Sequence, residues 1–337
     1  ESVLPHGVPL DARRVRRGRF AMAGAAVVIT LVLFQGKRWW DHVDANFRNN
    51  KLFKPVEIAA TLHARPGGTF LALNLEDAED DPRDRTPLVA DHGKLMHLFL
   101  VRDSDLGSLA HLHPAKVAPK QFEAALPPLP PGDYRVYADV TRESGLAQTL
   151  VSRVKLESPP APPSRPDPDD SFWQGAASVS ADAPLQNNCQ VRMLSPAQFV
   201  AGVESTLRFD VLAGDGQPAP LEPYMGMWSH AVVCARDGSV YTHLHPSGTI
   251  SLTAQELFAR RERGEDLRKP IDVTCGRPER ELIFPYSFPK PGAYRFWVQV
   301  KINGEIQTAA FNLTVQPSTS LTSRQAPAEK GRAPGRK

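Results

Sequence analysis

Two stretches of the chain repeat one pattern, and this internal repeat limits the possible folds more than any other feature. Residues 97–114 read HLFLVRDSDLGSLAHLHP, and residues 230–246 read HAVVCARDGSVYTHLHP. Each begins with a histidine, continues through an apolar run, Arg-Asp and a short turn, and ends in His-Leu-His-Pro. A second pair of motifs follows in the same order, PGDYR at 131–135 and PGAYR at 291–295. The chain is therefore expected to contain two related domains, the second with 28 additional residues between its motifs.

The repeated segments have the composition of β-strands. LMHLFLV, YRVYADV, YRFWVQV and FNLTV are short and rich in β-branched and aromatic residues. Asn303-Gly304 separates two such runs and predicts a hairpin. The PGxY motif resembles the corner of immunoglobulin-like sandwiches, where a tyrosine hydroxyl bonds back to nearby backbone. The sequence predicts a mainly β protein with two tandem immunoglobulin-like antiparallel β-sandwiches, at residues 55–157 and 185–317.

Segments outside the two predicted sandwiches differ in composition. Residues 158–184 are rich in proline and predict an extended, semi-rigid linker. The insertion in the second copy, residues 250–282, contains TAQE at 253–256, a capping-box pattern that predicts a helix over about 253–265. Its arginines at 260, 261 and 263 are expected to face solvent. Residues 318–337 are rich in Pro, Ser and basic side chains and predict a disordered tail.

The N-terminal region predicts a membrane anchor. Residues 1–19 are a basic segment ending in RRVRRGR, and an uncharged apolar run follows over 20–34. Fifteen helical residues rise only about 22 Å, short of a bilayer core of about 30 Å. Extension to Trp40 closes that gap, with basic side chains reaching outward and tryptophans in the interface. We predict a transmembrane helix over 20–40; a cleaved signal peptide and a buried core helix are the alternatives.

The distribution of charge predicts location and excludes one class of partner. Residues 1–40 carry a net charge of +5, residues 318–337 carry +4, and the body between them carries −6. An acidic body argues against nucleic acid as a partner. The basic cluster before the helix predicts a cytoplasmic N-terminus in a bacterial inner membrane, with the domains in the periplasm.

The histidine motifs predict a metal site. Alternate residues of a strand share one face, so both imidazoles of a His-Leu-His motif point the same way. A third imidazole from a paired strand makes a set suited to Cu(II) or Zn(II). In the second copy, two thioethers precede the third histidine, a mixture that favours copper, in particular Cu(I). The predicted ligands there are Met225, Met227, His230, His243 and His245.

The first copy offers a weaker set without the Met-x-Met element. Its candidates are His92, His97, His111 and His113, with Met96 and Asp91 nearby. In either copy the histidines could instead form a structural corner bonded to backbone, and the methionines could fill a core.

The chain resembles the small bacterial periplasmic copper-handling β-sandwiches and cupredoxin-like exported domains. The resemblance rests on Met225-Gly226-Met227, His230, the HLHP of 243–246 and the PGAY of 291–294. It implies an immunoglobulin-like fold and copper storage or delivery. The sequence departs from blue-copper proteins because it places no cysteine in the required ligand arrangement near the last strand pair, which argues against electron transfer by such a centre.

The three cysteines, Cys189, Cys234 and Cys275, all lie in the second copy. Outside the cytoplasm one pair can form a disulfide, with Cys275 able to fix the insertion to the sandwich, and a buried free Cys234 is the alternative.

The sequence contains none of the common catalytic motifs: G-x-S-x-G, H-E-x-x-H, the Walker A loop, G-x-G-x-x-G and Cys-x-x-Cys. We therefore expect a non-enzymatic protein. Two functions remain: metal binding, with copper as the metal, or a structural accessory subunit of a larger membrane complex, such as an electron-transfer assembly. In the second, the β-domains would bind neighbouring membrane proteins.

Overall fold

The computed structural model describes residues 11–50, 56–76, 87–196, 198–246, 248–249, 251–266 and 281–318. The predicted disordered tail, apart from Ser318, and most of the second half of the insertion lie outside these residues. One uninterrupted α-helix, α1, occupies Ala12–Asn50. It is long and apolar enough to cross a membrane, as either a signal sequence or a single-pass anchor would be. Its apolar side chains between Phe20 and Phe34 are exposed.

The first β-domain consists of two sheets. One has the strand order β1-β2-β7-β6, and the other has the order β10-β5-β4-β8-β3, with β9 also paired to β8. The strands are β1 (Glu57–Arg65), β2 (Gly68–Glu76), β3 (Leu88–Val89), β4 (His97–Arg102), β5 (Ser108–Leu112), β6 (Ala115–Ala118), β7 (Gln121–Ala125), β8 (Gly132–Arg142), β9 (Ala147–Leu156) and β10 (Ser171–Gln174).

The second β-domain repeats this plan and adds a helix. Its sheets have the orders β11-β12-β14-β18 and β13-β20-β19-β16-β17, with β15 also paired to β19. Its elements are β11 (Asp182–Pro184), β12 (Gln190–Met193), β13 (Gln198–Val200), β14 (Glu204–Leu212), β15 (Leu221–Glu222), β16 (His230–Ala235), β17 (Tyr241–Leu244), α2 (Leu252–Arg263), β18 (Leu282–Ser287), β19 (Gly292–Ile302) and β20 (Glu305–Gln316). The pairing is antiparallel except between β13 and β20. The prediction of a mainly β protein with two immunoglobulin-like sandwiches is confirmed.

Local signals identified in the sequence form the expected structures. The hydroxyl of Tyr134 donates to the carbonyl oxygen of Pro130 at 2.8 Å, and Tyr294 donates to that of Lys290 at 2.7 Å. These are matching tyrosine corners, one in each domain. Asn303 and Gly304 have φ angles of 51° and 78°, as a two-residue turn between β19 and β20 requires.

The two domains pack against each other through one sheet from each. On β4, Leu98 and Leu100 point into the core of their own domain, while Phe99 points to the opposite face. That face joins a third apolar core, shared between the domains, whose members are Phe99, Val101, Leu106, Leu109, Tyr137, Ala177, Val232, Cys234, Trp297 and Ala310. Across it, the rings of Tyr137 and Tyr241 stack with centroids 3.8 Å apart. The domains thus bury both faces of their central strands.

The segment predicted as a linker contains ordered structure. Its residues 171–174 form β10, which pairs antiparallel with β5 of the first domain, and residues 182–184 form β11 of the second domain. Lys94 pairs with Asp167 at 2.7 Å, which fixes the segment before β10 to the first domain. Proline density predicted an extended path, but the backbone of β5 supplies pairing partners that composition does not reveal.

The helix in the insertion begins at Leu252, one residue before the predicted start. Its N-cap is Ser251, whose hydroxyl accepts from the amide of Ala254. Thr253 instead donates to the carbonyl oxygen of Ala90 in the first domain at 3.2 Å. Arg261 is exposed, as expected, and also donates to the carbonyl oxygen of Glu143 at 3.0 Å. The insertion therefore contacts the first domain.

Two of the three cysteines lie in described residues. Cys189 and Cys234 are free, buried thiols, so neither forms the disulfide that was one of the alternatives. Cys275 lies outside the described residues.

Candidate metal centre

Seven of the ten histidines meet where the two sheets face each other. The turn before β4, β4, β5 and the residue after β5 supply those of the first domain, and β16, β17 and the residue after β17 supply those of the second. They are His92, His97, His111, His113, His230, His243 and His245. The sequence predicted two separate sets, one per copy. The structure joins them in one buried cluster.

The first-domain triad, His97, His111 and His113, is buried and directed to one point. Each residue offers a ring nitrogen, and these nitrogens lie within 4.8 Å of one another. Nδ1 of His97 and Nε2 of His111 are 3.3 Å apart. The side chains converge because His111 and His113 alternate along one chain and His97 lies on the adjacent strand.

The second-domain triad, His230, His243 and His245, repeats this geometry. Its ring nitrogens also lie within 4.8 Å of one another. Nδ1 of His230 and Nε2 of His243 are 3.3 Å apart, the same separation as in the first triad.

In the first triad, the nitrogen of each ring that faces away from the site has an acceptor. Nε2 of His97 donates to the carbonyl oxygen of Asp91 at 3.0 Å. Nδ1 of His111 donates to Oε1 of Gln299 at 2.9 Å, and Nδ1 of His113 donates to Oδ1 of Asp170 at 3.0 Å. These bonds place a hydrogen on each outer nitrogen and leave a bare lone pair on each inner nitrogen, which is how metal-ligating histidines are held.

The second triad is held less completely. Nδ1 of His243 lies 3.4 Å from Oδ2 of Asp139, which belongs to the first domain. Among the described residues, Nε2 of His230 and both ring nitrogens of His245 have no hydrogen-bond partner. Buried polar atoms without partners are costly, so these nitrogens mark a place where a ligand is expected.

His92 adds a seventh ring from the turn before β4. Its side chain is fully buried, and neither ring nitrogen has a hydrogen-bond partner among the described residues. Its ring centroid lies 4.8 Å from that of His245 and 5.8 Å from that of His230. A first-domain histidine thus borders the second-domain triad.

The predicted methionine ligands lie in the equivalent turn of the second domain. Residues 224–227 close by mutual backbone hydrogen bonds between Tyr224 and Met227, as residues 91–94 do in the first domain. Met225 has a φ angle of 51°, the same value as His92. The repeat therefore places a thioether where the first domain has an imidazole. Met227 is fully buried.

Burial holds the histidines in the form that binds metals. It lowers the pKa of every ring in the cluster, to about 4 for His97 and about 3 for His245, and neighbouring histidines lower most of them further. Burial also raises the pKa of Asp139 and of Asp170 to about 7. Neutral imidazole is the ligand form for Zn(II), copper and other transition metals.

A cleft of about 190 Å³ borders the cluster. Both domains line it, the first with Asp91, His97 and Asp139 and the second with Tyr241, His243 and His245. Its lining includes imidazole, carboxylate and hydroxyl groups that a small ion can contact.

Several residues of the site carry no motif. Asp139 and Gln299 occupy matching places in the repeat, because Asp139 pairs with His97 and Gln299 with His230. Their matching positions in the repeat are the sequence feature from which Asp139 and Gln299 could have been identified. Asp170 lies in the segment predicted as a linker, and nothing in its sequence context indicated a role.

A protein family described as a domain of unknown function (DUF8832) matches residues 185–317. No curated protein matches the chain.

The similar solved structures are distant matches that each contain several domains or modules. Three N-terminal domains of the outer capsid protein Hoc of bacteriophage RB49 match at 13% identity and a TM-score of 0.17, over 77% of this chain and 58% of that one. This chain thus spans little more than half of that structure. Titin domains Z1Z2, in complex with telethonin, match at 11% identity and a TM-score of 0.18, over 80% and 100% of the chains. Fibronectin(III)-like modules of Clostridium thermocellum CbhA match at 10% identity and a TM-score of 0.20, over 80% and 100%.

Proposed function

We propose that this chain is a membrane-anchored, non-enzymatic protein whose two periplasmic β-domains bind copper at the histidine cluster between them. The observation that carries the proposal is the orientation of the first triad. Because the outer nitrogens of His97, His111 and His113 donate to fixed acceptors, three bare lone pairs face one another. Lone pairs that face each other at 3.3 Å repel unless a cation or a proton lies between them. Burial disfavours the proton, so a metal ion fits best.

Copper is the metal that this donor set favours. Imidazole ligands suit both zinc and copper, and the affinity of such a site for divalent ions peaks at Cu(II). Because Met225 takes the position of His92 in the repeat, we expect its thioether to offer a soft donor of the kind that selects Cu(I).

The anchor in this proposal is α1. Its apolar segment has side chains such as Phe20, Val32 and Phe34 exposed by 71%, 64% and 56%, an arrangement suited to lipid. The basic residues before it support a cytoplasmic N-terminus.

The test is copper binding by the full chain in mild detergent. Protein stripped of metal is titrated with Cu(I) under reducing conditions and with Cu(II), each against a competing chelator. The comparison is a variant lacking both His-Leu-His motifs, with the substitutions His111→Ala, His113→Ala, His243→Ala and His245→Ala. A control, His63→Ala, removes an exposed histidine of β1.

Wild type and control should bind tightly and the fourfold variant should not. Equal affinity in all three would refute copper binding at this site.

A role as an accessory subunit is the second candidate. Val117 on β6 and Val151 on β9 are 59% and 60% exposed, and both strands lie at sheet edges where another protein can pair. This role predicts that the chain purifies from membranes with partner proteins. Migration as a lone monomer in mild detergent would contradict it.

A further inference from the structure

We infer that the histidine cluster holds two metal ions in one paired centre, one per triad, and that His92 of the first domain is a ligand of the second-domain ion. The inference rests on the proposed metal binding and extends it to stoichiometry, to coupling between the ions and to one further ligand.

The two histidine triads and the residues that support them are related by the repeat. The two triads have the same inner distance of 3.3 Å between their closest nitrogens. Each also receives an outer contact from the other domain: Gln299 reaches His111, and Asp139 reaches His243. Gln299 and Asp139 are equivalent positions of the repeat. Two equivalent ligand sets with equivalent supports call for two ions.

The two triads lie next to each other. Ring centroids of His97 and His243 are 5.4 Å apart, and those of His111 and His243 are 5.5 Å apart. Ring centroids within the first triad are 4.7 to 5.6 Å apart, so the two separations between triads fall in the same range. No layer of protein therefore separates the triads, and two ions held there are neighbours in one pocket.

The surroundings of His92 are those of a ligand to the second-domain ion. Its ring is fully buried beside His245 and carries two nitrogens without a hydrogen-bond partner among the described residues. A structural histidine would have a bonded ring nitrogen. A ligand to the second ion satisfies one nitrogen, and Asp91, 3.3 Å away, can accept from the other. This ligand would tie the first domain to the second.

The histidine cluster is bordered by acidic side chains. Three buried or half-buried carboxylates, Asp91, Asp139 and Asp170, contact histidines of the cluster. Lys94, the nearby cation, pairs with Asp167 and Asp169. The carboxylates can therefore offset the charge of two ions in a buried site.

The experiment measures how many Cu(II) ions the full chain binds and whether their spins interact. Protein in mild detergent is loaded with Cu(II), freed of excess and assayed for total copper and for the integrated electron paramagnetic resonance signal. Wild type should hold two ions per chain, with a signal smaller than its copper content because neighbouring spins couple. His111→Ala/His113→Ala and His243→Ala/His245→Ala should each hold one ion with a full signal.

A separate variant tests His92. We choose His92→Asn because asparagine tolerates the positive φ angle of this position. It should weaken one of the two ions at least about tenfold, since even residues that only orient ligands change metal affinity 10–100-fold. The matched control, His63→Asn, should leave both ions unchanged.

The outcomes separate the two proposals. One ion per chain, lost in both double variants, would mean a single shared site; copper binding would stand and the paired centre would be refuted. Two ions with a full signal would refute the pairing, and an unchanged His92→Asn would refute that ligand. Absence of binding in wild type would refute the proposed function itself. Circular dichroism of each metal-free variant confirms that it is folded.

Discussion

Oδ2 of Asp139, in the first domain, lies 3.4 Å from Nδ1 of His243, in the second domain. The reverse relationship holds between Gln299 of the second domain and His111 of the first, at 2.9 Å. Each domain thus orients one histidine of the other. The site is a property of the pair of domains, and the apolar core that they share keeps these contacts in place.

We predict that Asp139→Leu weakens metal binding at the second-domain triad by about 10–100-fold, the usual effect of removing the partner of a ligating histidine. Asp139→Asn should recover much of the loss, because its amide oxygen can still accept from His243. Competition titrations of the full chain measure both. The control Asp133→Asn changes an exposed carboxylate of the same strand. Similar losses in Asp139→Leu and the control would contradict the prediction.

Gln299→Leu should have its effect at the other triad. Its side chain accepts from His111, so its removal should weaken the first-domain ion by about 10–100-fold and leave the second unchanged. Gln299→Glu should retain binding, because a carboxylate also accepts. The readout is the affinity of each ion, with the other triad removed by the double variants. Loss at the second triad instead would contradict the reciprocal arrangement.

Much of the fold could be predicted from the repeat. Strand alternation placed His243 and His245 on one face, and the PGxY motifs predicted the corners at Tyr134 and Tyr294. These features depend on local sequence, which is why they could be read from it.

The convergence of the two triads could not be predicted in the same way, because it depends on how two domains dock. One signal for docking was present. The strands HLFLVR and HAVVCA are apolar at consecutive positions, and burial on both faces is what such a pattern indicates. The supporting residues Asp139, Asp170 and Gln299 are single polar residues without a motif. Only the tertiary structure identifies them.

The anchor gives a third prediction. If α1 spans the membrane, alkaline carbonate should leave the chain in the membrane fraction, and protease added to intact spheroplasts should digest the β-domains. Replacing the five arginines between residues 13 and 19 with serine should reduce the fraction in this orientation, because positive charge retains the N-terminus in the cytoplasm. Soluble protein that lacks the N-terminal segment would show instead that the segment is a cleaved signal.

Metal should stabilise the folded protein. An ion that binds only the native state adds about 2.7 kcal/mol at a free concentration 100 times its dissociation constant. For domains of this combined size, each kcal/mol raises Tm by about 2–4 °C, so copper should raise Tm by about 5–10 °C. Thermal melts of the full chain with copper and with a chelator measure this. The variant without both His-Leu-His motifs should show no shift, and an equal shift there would place the stabilising ion elsewhere.

The metal-free protein should lose stability as the pH falls from 7 to 5. Burial lowers the pKa of all seven clustered histidines below that of an unfolded histidine, about 6.5. Below that pH the unfolded chain binds more protons than the folded chain, so acid favours unfolding, by up to about 1.4 kcal/mol per pH unit for each histidine.

The carboxylates that face the cluster reduce the size of this acid destabilisation but do not change its sign. Burial raises the pKa of Asp139 and Asp170 to about 7, so in this range they take up protons on folding and offset two of the seven histidines. Although burial alone would raise the pKa of Asp91, the nearby His92 helps to hold it below its usual value, so this group titrates at lower pH. Burial opposes the charge of Lys94, but its bonds to Asp167 and Asp169 raise its pKa, and it stays charged throughout. Urea midpoints at pH 7, 6 and 5 should therefore fall steadily for wild type and less steeply for the variant lacking both His-Leu-His motifs; parallel slopes would mean that the clustered histidines are not the source.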